Sequence, residues 1–431
     1  MQYIPRKLFD ELLKWLERRE ILAIRGPRQS GKTTLLEYLR DYIKKKTEGL
    51  QENIILLSFE DKELVFNFSK DPEGFINAYM EPNRKDRYYF LLDEFQYIHD
   101  GGQKLKLLYD TMKNIKFIIT GSSSLELTDN TTKYLVGRIF LFNLYQFDFE
   151  EYLFNQPKNI INLYKENSSS ISAFILKGEK VKKFSSIFNE TFKNIFEGYC
   201  IFGGYPEIVK AKTIEEKEII LKNIYNTYIE KDIIGSLKLE DDYNFRNIIT
   251  ILANQTGSVL NSQNLIKDGL TYFKKLKQYL FILEETYIIK RVKPYFKSKS
   301  SEIRKNPKLY FIDNGLRNSV IKNFNSFILR GDAGAMVENV VFSQIFKNMD
   351  PDIRYWRTIH EAEVDFLIKA GSDLIPVEVK YTTFSSPKPG RSFINFIKKY
   401  NPPRGLILTK GYWGEIKIDN TEVLFAPVWF I

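Results

Sequence analysis

Three groups of residues in this 431-residue chain have types and spacings that could do chemistry. The first is Gly26, Pro27, Arg28, Gln29, Ser30, Gly31, Lys32, Thr33 and Thr34, which fits Gly-x4-Gly-Lys-[Ser/Thr] with an apolar run before it and a helix-like run after it. Phosphates need a cradle of backbone N–H groups, and glycine lets the backbone come that close. In such a loop Lys32 reaches the β/γ-phosphates, Thr33 offers its hydroxyl to Mg2+, and the helix starting near Gly31 points its positive end at the anion. Downstream, an apolar run from Tyr88 ends in Asp93 and Glu94. Asp93 would hold the hydration shell of Mg2+, and Glu94 would orient and polarise an attacking water; the plainer alternative is a strand followed by a solvated acidic turn. A third run ends in Thr120, Gly121, Ser122, Ser123 and Ser124. Thr120 or Ser122 would hydrogen-bond the phosphate or the water, unless the serines only cap the next helix. Arg138, after Gly137, is either surface charge or a group that neutralises transition-state charge, in cis or from a neighbouring copy. The ligand this set calls for is ATP with Mg2+.

The second group lies near the C-terminus. Glu363-Val364-Asp365 and Ile375-Pro376-Val377-Glu378-Val379-Lys380 sit on two alternating runs. Period two places Glu378 and Lys380 on one strand face. Asp365 and Glu378 would hold Mg2+ or Mn2+ while the Lys380 ammonium stabilises a nucleophile or a phosphate oxyanion, and Glu338, on a helix expected over 335–347, would supply a third acid. The competing reading is an amphipathic strand with a solvated face. A single cysteine and two histidines exclude an intramolecular disulfide and any thiolate metal site, so a metal here must be held by carboxylates.

The third group is charge. The net charge is +10 and the pI about 9.1, and 12 Lys/Arg against 4 Asp/Glu fall within 265–310, a local excess of 8. That points to a polyanion, DNA, with Tyr272, Phe273, Tyr279, Tyr295 and Phe296 interleaved among the lysines and the loop at 297–305 touching phosphates. A lysine-rich solvated helix or a protein-docking element would look similar. No apolar run reaches 18 residues and the N-terminus lacks the apolar core of a signal peptide, so the expectation is a cytoplasmic chain with no membrane segment.

The elements that must position these residues follow from hydropathy. Alternating apolar and helical runs predict an α/β domain with a parallel sheet, its strands over 21–25, 53–59, 88–93, 116–120 and 139–142 and a helix over 103–112. A mainly helical stretch follows, broken by Gly203-Gly204-Tyr205-Pro206. Residues 241–296 read as three short helices and a hairpin, the hairpin pairing 288–293 with 308–312, in the outline of a winged helix-turn-helix. The last part predicts a helix over 335–347 and strands over 354–356, 363–368, 374–380, 405–409 and 421–427.

The strings 26–36, Leu91-Leu92-Asp93-Glu94-Phe95-Gln96, 119–124 and Gly137-Arg138 resemble the archaeal and bacterial P-loop ATPases of the AAA+ superfamily. Gly203-Gly204-Tyr205-Pro206-Glu207, Tyr228-Ile229-Glu230-Lys231-Asp232 and the run from Phe311 to Arg317 resemble the narrower group whose C-terminal domain is similar to the PD-(D/E)xK nucleases, with Glu338, Asp365, Glu378 and Lys380 at the matching positions. The resemblance implies four domains: an ATPase core over 1–148, a helical lid over 149–239, a winged helix-turn-helix over 240–312 and a restriction-nuclease-like α/β domain over 313–431. Together with the basic segment and the set Glu338, Asp365, Glu378 and Lys380, the expectation is an ATP-hydrolysing protein coupled to DNA binding and metal-dependent DNA cleavage, with homo-oligomers an open question. The alternative is an ATP-dependent switch or DNA-binding regulator whose nuclease-type domain does not cut.

Overall fold

The computed structural model describes residues 3–47, 51–81, 86–122, 134–181, 188–235, 242–267, 271–296, 305–349 and 352–431. Ser123, Ser124 and the predicted phosphate loop at 297–304 lie outside them. The chain divides into two compact units, residues 1–146 with 285–287, and the remainder. The segments expected as lid, winged helix and C-terminal domain therefore pack as one unit.

The first unit is a five-stranded sheet of β1 (Ile21–Arg25), β2 (Ile54–Ser58), β3 (Tyr88–Asp93), β4 (Ile115–Gly121) and β5 (Ile139–Asn143), in the order β2-β3-β4-β1-β5. Every pairing is parallel. A parallel sheet is covered on both faces, so its strands read as near-continuous apolar runs; β3 and β4 are buried along their whole length. Alternate residues feed opposite faces. Ile21 and Ala23 join Phe90, Leu92, Phe117 and Ile119 in one core, while Leu22 and Ile24 meet Leu35, Leu36, Leu39 and Leu91 in the other. The last four belong to helix α2 (Lys32–Lys46) and the centre of β3. Between β3 and β4 runs α5 (Gly101–Thr111), after the shorter α1 (Lys7–Leu13), α3 (Lys62–Lys70) and α4 (Pro72–Asn77). Because β3, β4 and β1 are adjacent and parallel, their carboxyl ends lie along one edge, and the loop 26–31, Asp93 and Thr120 all emerge there. The wholly buried Lys116 sits near the other edge, its ammonium bonded to the carbonyls of Trp15, Arg18 and Glu20.

The second unit opens with α6 (Phe149–Tyr152), α7 (Lys158–Lys177), α8 (Asn189–Phe202), α9 (Pro206–Lys210) and α10 (Ile214–Tyr225). A π-helical stretch, Asn226–Gly235, carries the Tyr228 signature and buries Tyr228, Ile229 and Ile233. Three helices follow: α11 (Asp242–Asn254), α12 (Ser262–Lys267) and α13 (Phe273–Glu285). The Asn261 side chain accepts from the Asn264 N–H at 3.3 Å and caps α12. Strands β6 (Ile289–Val292) and β7 (Lys308–Phe311) then pair antiparallel. After α14 (Asn314–Val320) and α15 (Ala333–Asn348) comes a six-stranded sheet, order β12-β13-β11-β10-β9-β8, built from β8 (Arg354–Arg357), β9 (Glu363–Ala370), β10 (Asp373–Lys380), β11 (Arg404–Thr409), β12 (Gly414–Ile418) and β13 (Thr421–Pro427). Helix α16 (Arg391–Tyr400) links β10 to its parallel neighbour β11. Sequence reading had placed neither α16 nor β12.

Two of the later signatures meet in one buried joint. Asp313 accepts from the N–H groups of Leu316, at 3.0 Å, and Gly204, at 2.8 Å. Gly203, at φ 72°, and Gly315 leave no room for a Cβ beside the Asp313 carboxylate and the Phe202 carbonyl. Asn314 and Asn318 bind the carbonyls of Cys200, Ile201 and Met336, and Arg317 binds that of Ala253. These residues tie α8, α11, α14 and α15 together; their role is structural.

Candidate functional site

The first cluster forms at the carboxyl edge of the parallel sheet. The chain leaves β1 through Gly26, where a Cβ would lie 2.0 Å from the Leu144 carbonyl oxygen. It turns back at Gln29 (φ 60°) and Gly31 (φ 91°) to start α2, with Pro27 and Ser30 buried, Arg28 half-buried, and Thr33 and Thr34 exposed on the first helical turn. The left-handed φ at Gly31 is open to glycine at little cost. The Ser30 hydroxyl is buried and has no hydrogen-bond partner. Lys32 folds over the loop, donating to the carbonyls of Gly26 (3.2 Å) and Pro27 (3.0 Å). Burial pulls its ammonium below the usual lysine range, and the charges of Glu94 and Asp93 act against that.

A hydrogen-bond chain joins the three strand ends. Thr33 Oγ1 donates to Asp93 Oδ2 at 2.7 Å, and Thr120 Oγ1 donates to Asp93 Oδ1. The Thr120 hydroxyl in turn accepts from the Glu94 N–H at 3.0 Å. Glu94 stands in the left-handed region at φ 52°, a cost that a non-glycine residue meets only where the surroundings over-determine it. Its Oε2 accepts from Ser122 Oγ at 2.8 Å and from the Gln96 amide. Gln96 was not singled out from the sequence; its place two residues beyond the second acid was the available signal. A hydroxyl and a carboxylate at 2.7 Å are an oxygen donor set suited to Mg2+, which keeps most of its waters, so Thr33 and Asp93 fit that ion. Arg138 is not brought to this edge. It precedes β5 at the amino end of the sheet and pairs with Asp110 at 3.0 Å. One strand length, about 15 Å, separates it from the loop, which removes the reading in cis.

The second cluster lies in the other unit and differs from expectation. Asp365 and Glu378 flank Phe366 and Val377, the last pair of the β9–β10 ladder, and Asp365 Oδ2 accepts from the Val379 N–H at 2.8 Å. Lys380 Nζ pairs with Glu378 Oε1 at 2.9 Å. Glu338 turns to Lys308 Nζ, at 3.2 Å, and accepts from the Tyr310 hydroxyl at 2.6 Å. Lys308 also pairs with Glu363 at 2.5 Å. Among the described residues no group of three His, Cys, Asp or Glu is arranged to hold a metal ion, although the charges of Glu338 and Glu378 both act on Asp365 and those of all three acids act on Lys380. A buried ammonium is already lodged among the acids. Burial would lower the Lys308 ammonium, but Glu338, Asp365 and Glu363 hold it well above the usual lysine range. Burial, then the charge of Glu338, push Asp365 well above the usual carboxylate range. Glu378 Oε2 is buried without a partner; one oxygen does not make a coordination sphere. Lys308, Tyr310 and Glu363 were missed, although Lys308 and Tyr310 share one face of β7 and Glu363 and Asp365 one face of β9, as period two requires.

Residues 18–153 match a family model described as an AAA domain, a stretch that takes in all five parallel strands and the phosphate loop of the first unit. Residues 193–326 and 333–429 match two models each described as a domain of unknown function (DUF8612 and DUF4143). An uncharacterized protein of Haemophilus influenzae is 26% identical over 435 residues, covering 98% of this chain and 97% of the relative. The uncharacterized protein MJ1637 of Methanocaldococcus jannaschii is 26% identical over 97% of this chain and 86% of its own length. Among solved structures, the Aeropyrum pernix ORC2 protein in its ADP form is similar over 75% of this chain and 96% of its own, at 12% identity and a TM-score of 0.36. No described helix is long and apolar enough to cross a membrane.

Proposed function

We propose that this chain binds and hydrolyses ATP as an AAA+-type protein and couples that cycle to DNA, its C-terminal sheet serving to bind rather than to cut. The observation that carries the ATPase reading is the chain Thr33–Asp93–Thr120–Glu94, which links the phosphate loop to both neighbouring strand ends. Bound Mg2+ would neutralise phosphate charge as it develops. Thr33 and Asp93 would hold that ion, and Lys32 would leave its two carbonyl partners for the phosphates. Glu94 would hold the attacking water, and Ser122 and Gln96 fix the direction of its carboxylate. Arg138 would act only from a neighbouring copy.

The DNA reading rests on the three helices and hairpin of 242–311, which support a winged helix, and on α13. That helix exposes Phe273, Lys274, Lys277 and Phe281 on its solvent side, with Lys277 4.4 Å from the Phe273 ring centre. Such a face suits a major groove. Lys308 favours binding over cleavage, because its ammonium engages Glu338, one of the three acids a catalytic cation would need.

The test is steady-state ATP turnover. Lys32→Ala should lose ATP binding, and Glu94→Gln should retain it while kcat falls about 100- to 1000-fold, the range for removing one transition-state group. Normal turnover in both would end the ATPase reading. Incubation with DNA and Mg2+ or Mn2+ should leave the DNA intact, and cutting that disappears in Glu378→Ala would restore the cleaving alternative.

A further inference from the structure

A cavity of about 1120 Å³ opens in the second unit between the β6–β7 hairpin, β8 and the end of α16. It exceeds the roughly 300–1,000 Å³ of pockets that take one small ligand, so it suits an extended occupant. Its walls are aromatic: Tyr295, Phe296, Tyr355, Trp356 and Tyr400. Trp356 and Tyr355 are buried, while Tyr295, Phe296 and Tyr400 are half-buried, Tyr400 also packing against Trp356 and Phe396. Tyr295 and Tyr400 stand edge to face, ring centres 5.9 Å apart. The rim is cationic. Lys305 and Lys399 are exposed, Arg357 adds a third charge while pairing with Glu361 and Glu363 behind it, and no acid lies among the described residues lining the cavity. Lys399 lies 5.3 Å from the Tyr400 ring centre. A second cavity of about 500 Å³ shares Lys305 and is lined by Lys290, Arg291, Lys293 and Arg354 together with Glu284 and Asp352.

Partly exposed rings and cations along a rim are what an unpaired polynucleotide needs, since every base has a face to stack and every linkage a charge to meet. A duplex keeps its bases inside and would use only the rim. We infer that this groove binds an unpaired DNA strand, with bases against Tyr295, Phe296 and Tyr400 and phosphates along Lys305, Lys399 and Arg357. The inference rests on the DNA reading above but uses a different surface from α13.

The test is fluorescence anisotropy of the full chain with a labelled single-stranded thymidine 20-mer, over a range of salt concentrations. Matched duplex, RNA of the same sequence and polyglutamate serve as competitors. Phe296→Ala should weaken single-strand binding about five- to a hundred-fold, the range for one stacked base, and leave duplex binding unchanged. Lys305→Gln with Lys399→Gln, on exposed side chains that the fold does not need, should lower the salt slope by about 1.4, two phosphate contacts on a single strand. Lys274→Gln with Lys277→Gln should weaken duplex binding alone. The groove is refuted if neither the Phe296 nor the Lys305/Lys399 variant alters single-strand binding, if duplex or polyglutamate competes as well as the strand itself, or if RNA binds more tightly than DNA. If the chain binds neither duplex nor single strand, the DNA reading itself fails; if it binds duplex alone, only the groove does.

Discussion

Replacing Lys308 with Met keeps most of the side-chain volume and removes the one ammonium that bridges Glu338 and Glu363. Breaking a buried pair by deleting one partner costs about 3–5 kcal/mol, because the other charge is left uncompensated. Here the lysine is 3% exposed at its side chain but the two carboxylates are 19% and 25% exposed, and Arg357 still pairs with Glu363 at 3.3 Å. Water and that arginine take up part of the loss, which brings the expectation to about 2–4 kcal/mol. At about 2–4 °C per kcal/mol for a large domain, the melting point of the second unit should fall by roughly 5–15 °C. Tryptophan fluorescence follows that unit, since Trp356, Trp413 and Trp429 lie in it and Trp15 alone lies in the other. The acids left behind form a vacancy of the right charge for a divalent cation, so Mg2+, Mn2+ or Ca2+ at millimolar concentration should restore much of the loss in Lys308→Met and do little to the wild type. A fall below about 1 kcal/mol would show that the acids are solvated and that the ammonium does not hold them. A larger fall that no cation reverses would refute the idea that Lys308 stands in for a metal.

Three further outcomes follow from the geometry. Thr120→Val keeps the shape but breaks both bonds of the Thr120 hydroxyl, so kcat for ATP should fall about ten- to a hundred-fold, a loss of about 1.4–3 kcal/mol, with KM little changed; an unaltered kcat would detach Thr120 from the site. Arg138→Ala should leave ATP binding intact and reduce turnover only at concentrations where chains associate, and turnover equal to wild type across the whole range removes Arg138 from catalysis. Burial raises the Asp332 carboxyl, but hydrogen bonds from Arg330 and Arg317 outweigh this and bring it down to about 2. A depressed carboxyl stabilises the fold above its unfolded value near 4 and loses that contribution as pH falls toward 2; urea midpoints between pH 4 and 2 should drop less steeply in Asp332→Asn, by about 1 kcal/mol after screening, and parallel profiles would refute the pairing.

The nucleotide edge was readable because its signals are local. A glycine-rich loop, a strand closed by two acids and a strand closed by hydroxyls each occupy fewer than about ten residues, and parallel pairing brings such strand ends together. The strand bounds for β1, β3 and β13 agree to the residue. Of the readings open for Arg138, only the one in cis is lost, because a residue before a strand and a residue after one look alike in sequence but lie on opposite edges of the sheet. Lys308 was read as one more lysine of a basic segment, and nothing within ten residues of it announces Glu338 or Glu363. Strand β12 escaped because its polar residues Glu415 and Lys417 alternate as an edge strand's do. The amphipathic α16 was simply not read, although Phe393, Phe396 and Ile397 mark its buried face.

The joint around Asp313 bears on how such a chain can be taken apart, whether by an experimenter or over descent. Buried polar atoms that satisfy one another tolerate no missing member, because each orphan costs about 1–3 kcal/mol. Cutting the chain before Asp313, at the boundary the sequence suggested, would strip Gly204 of its acceptor and Cys200 and Ile201 of their donors in one stroke. Phe147–Glu284 and Ile288–Ile431 therefore fold as one piece, and no cut within that piece at Asp313 leaves both halves with their buried polar partners.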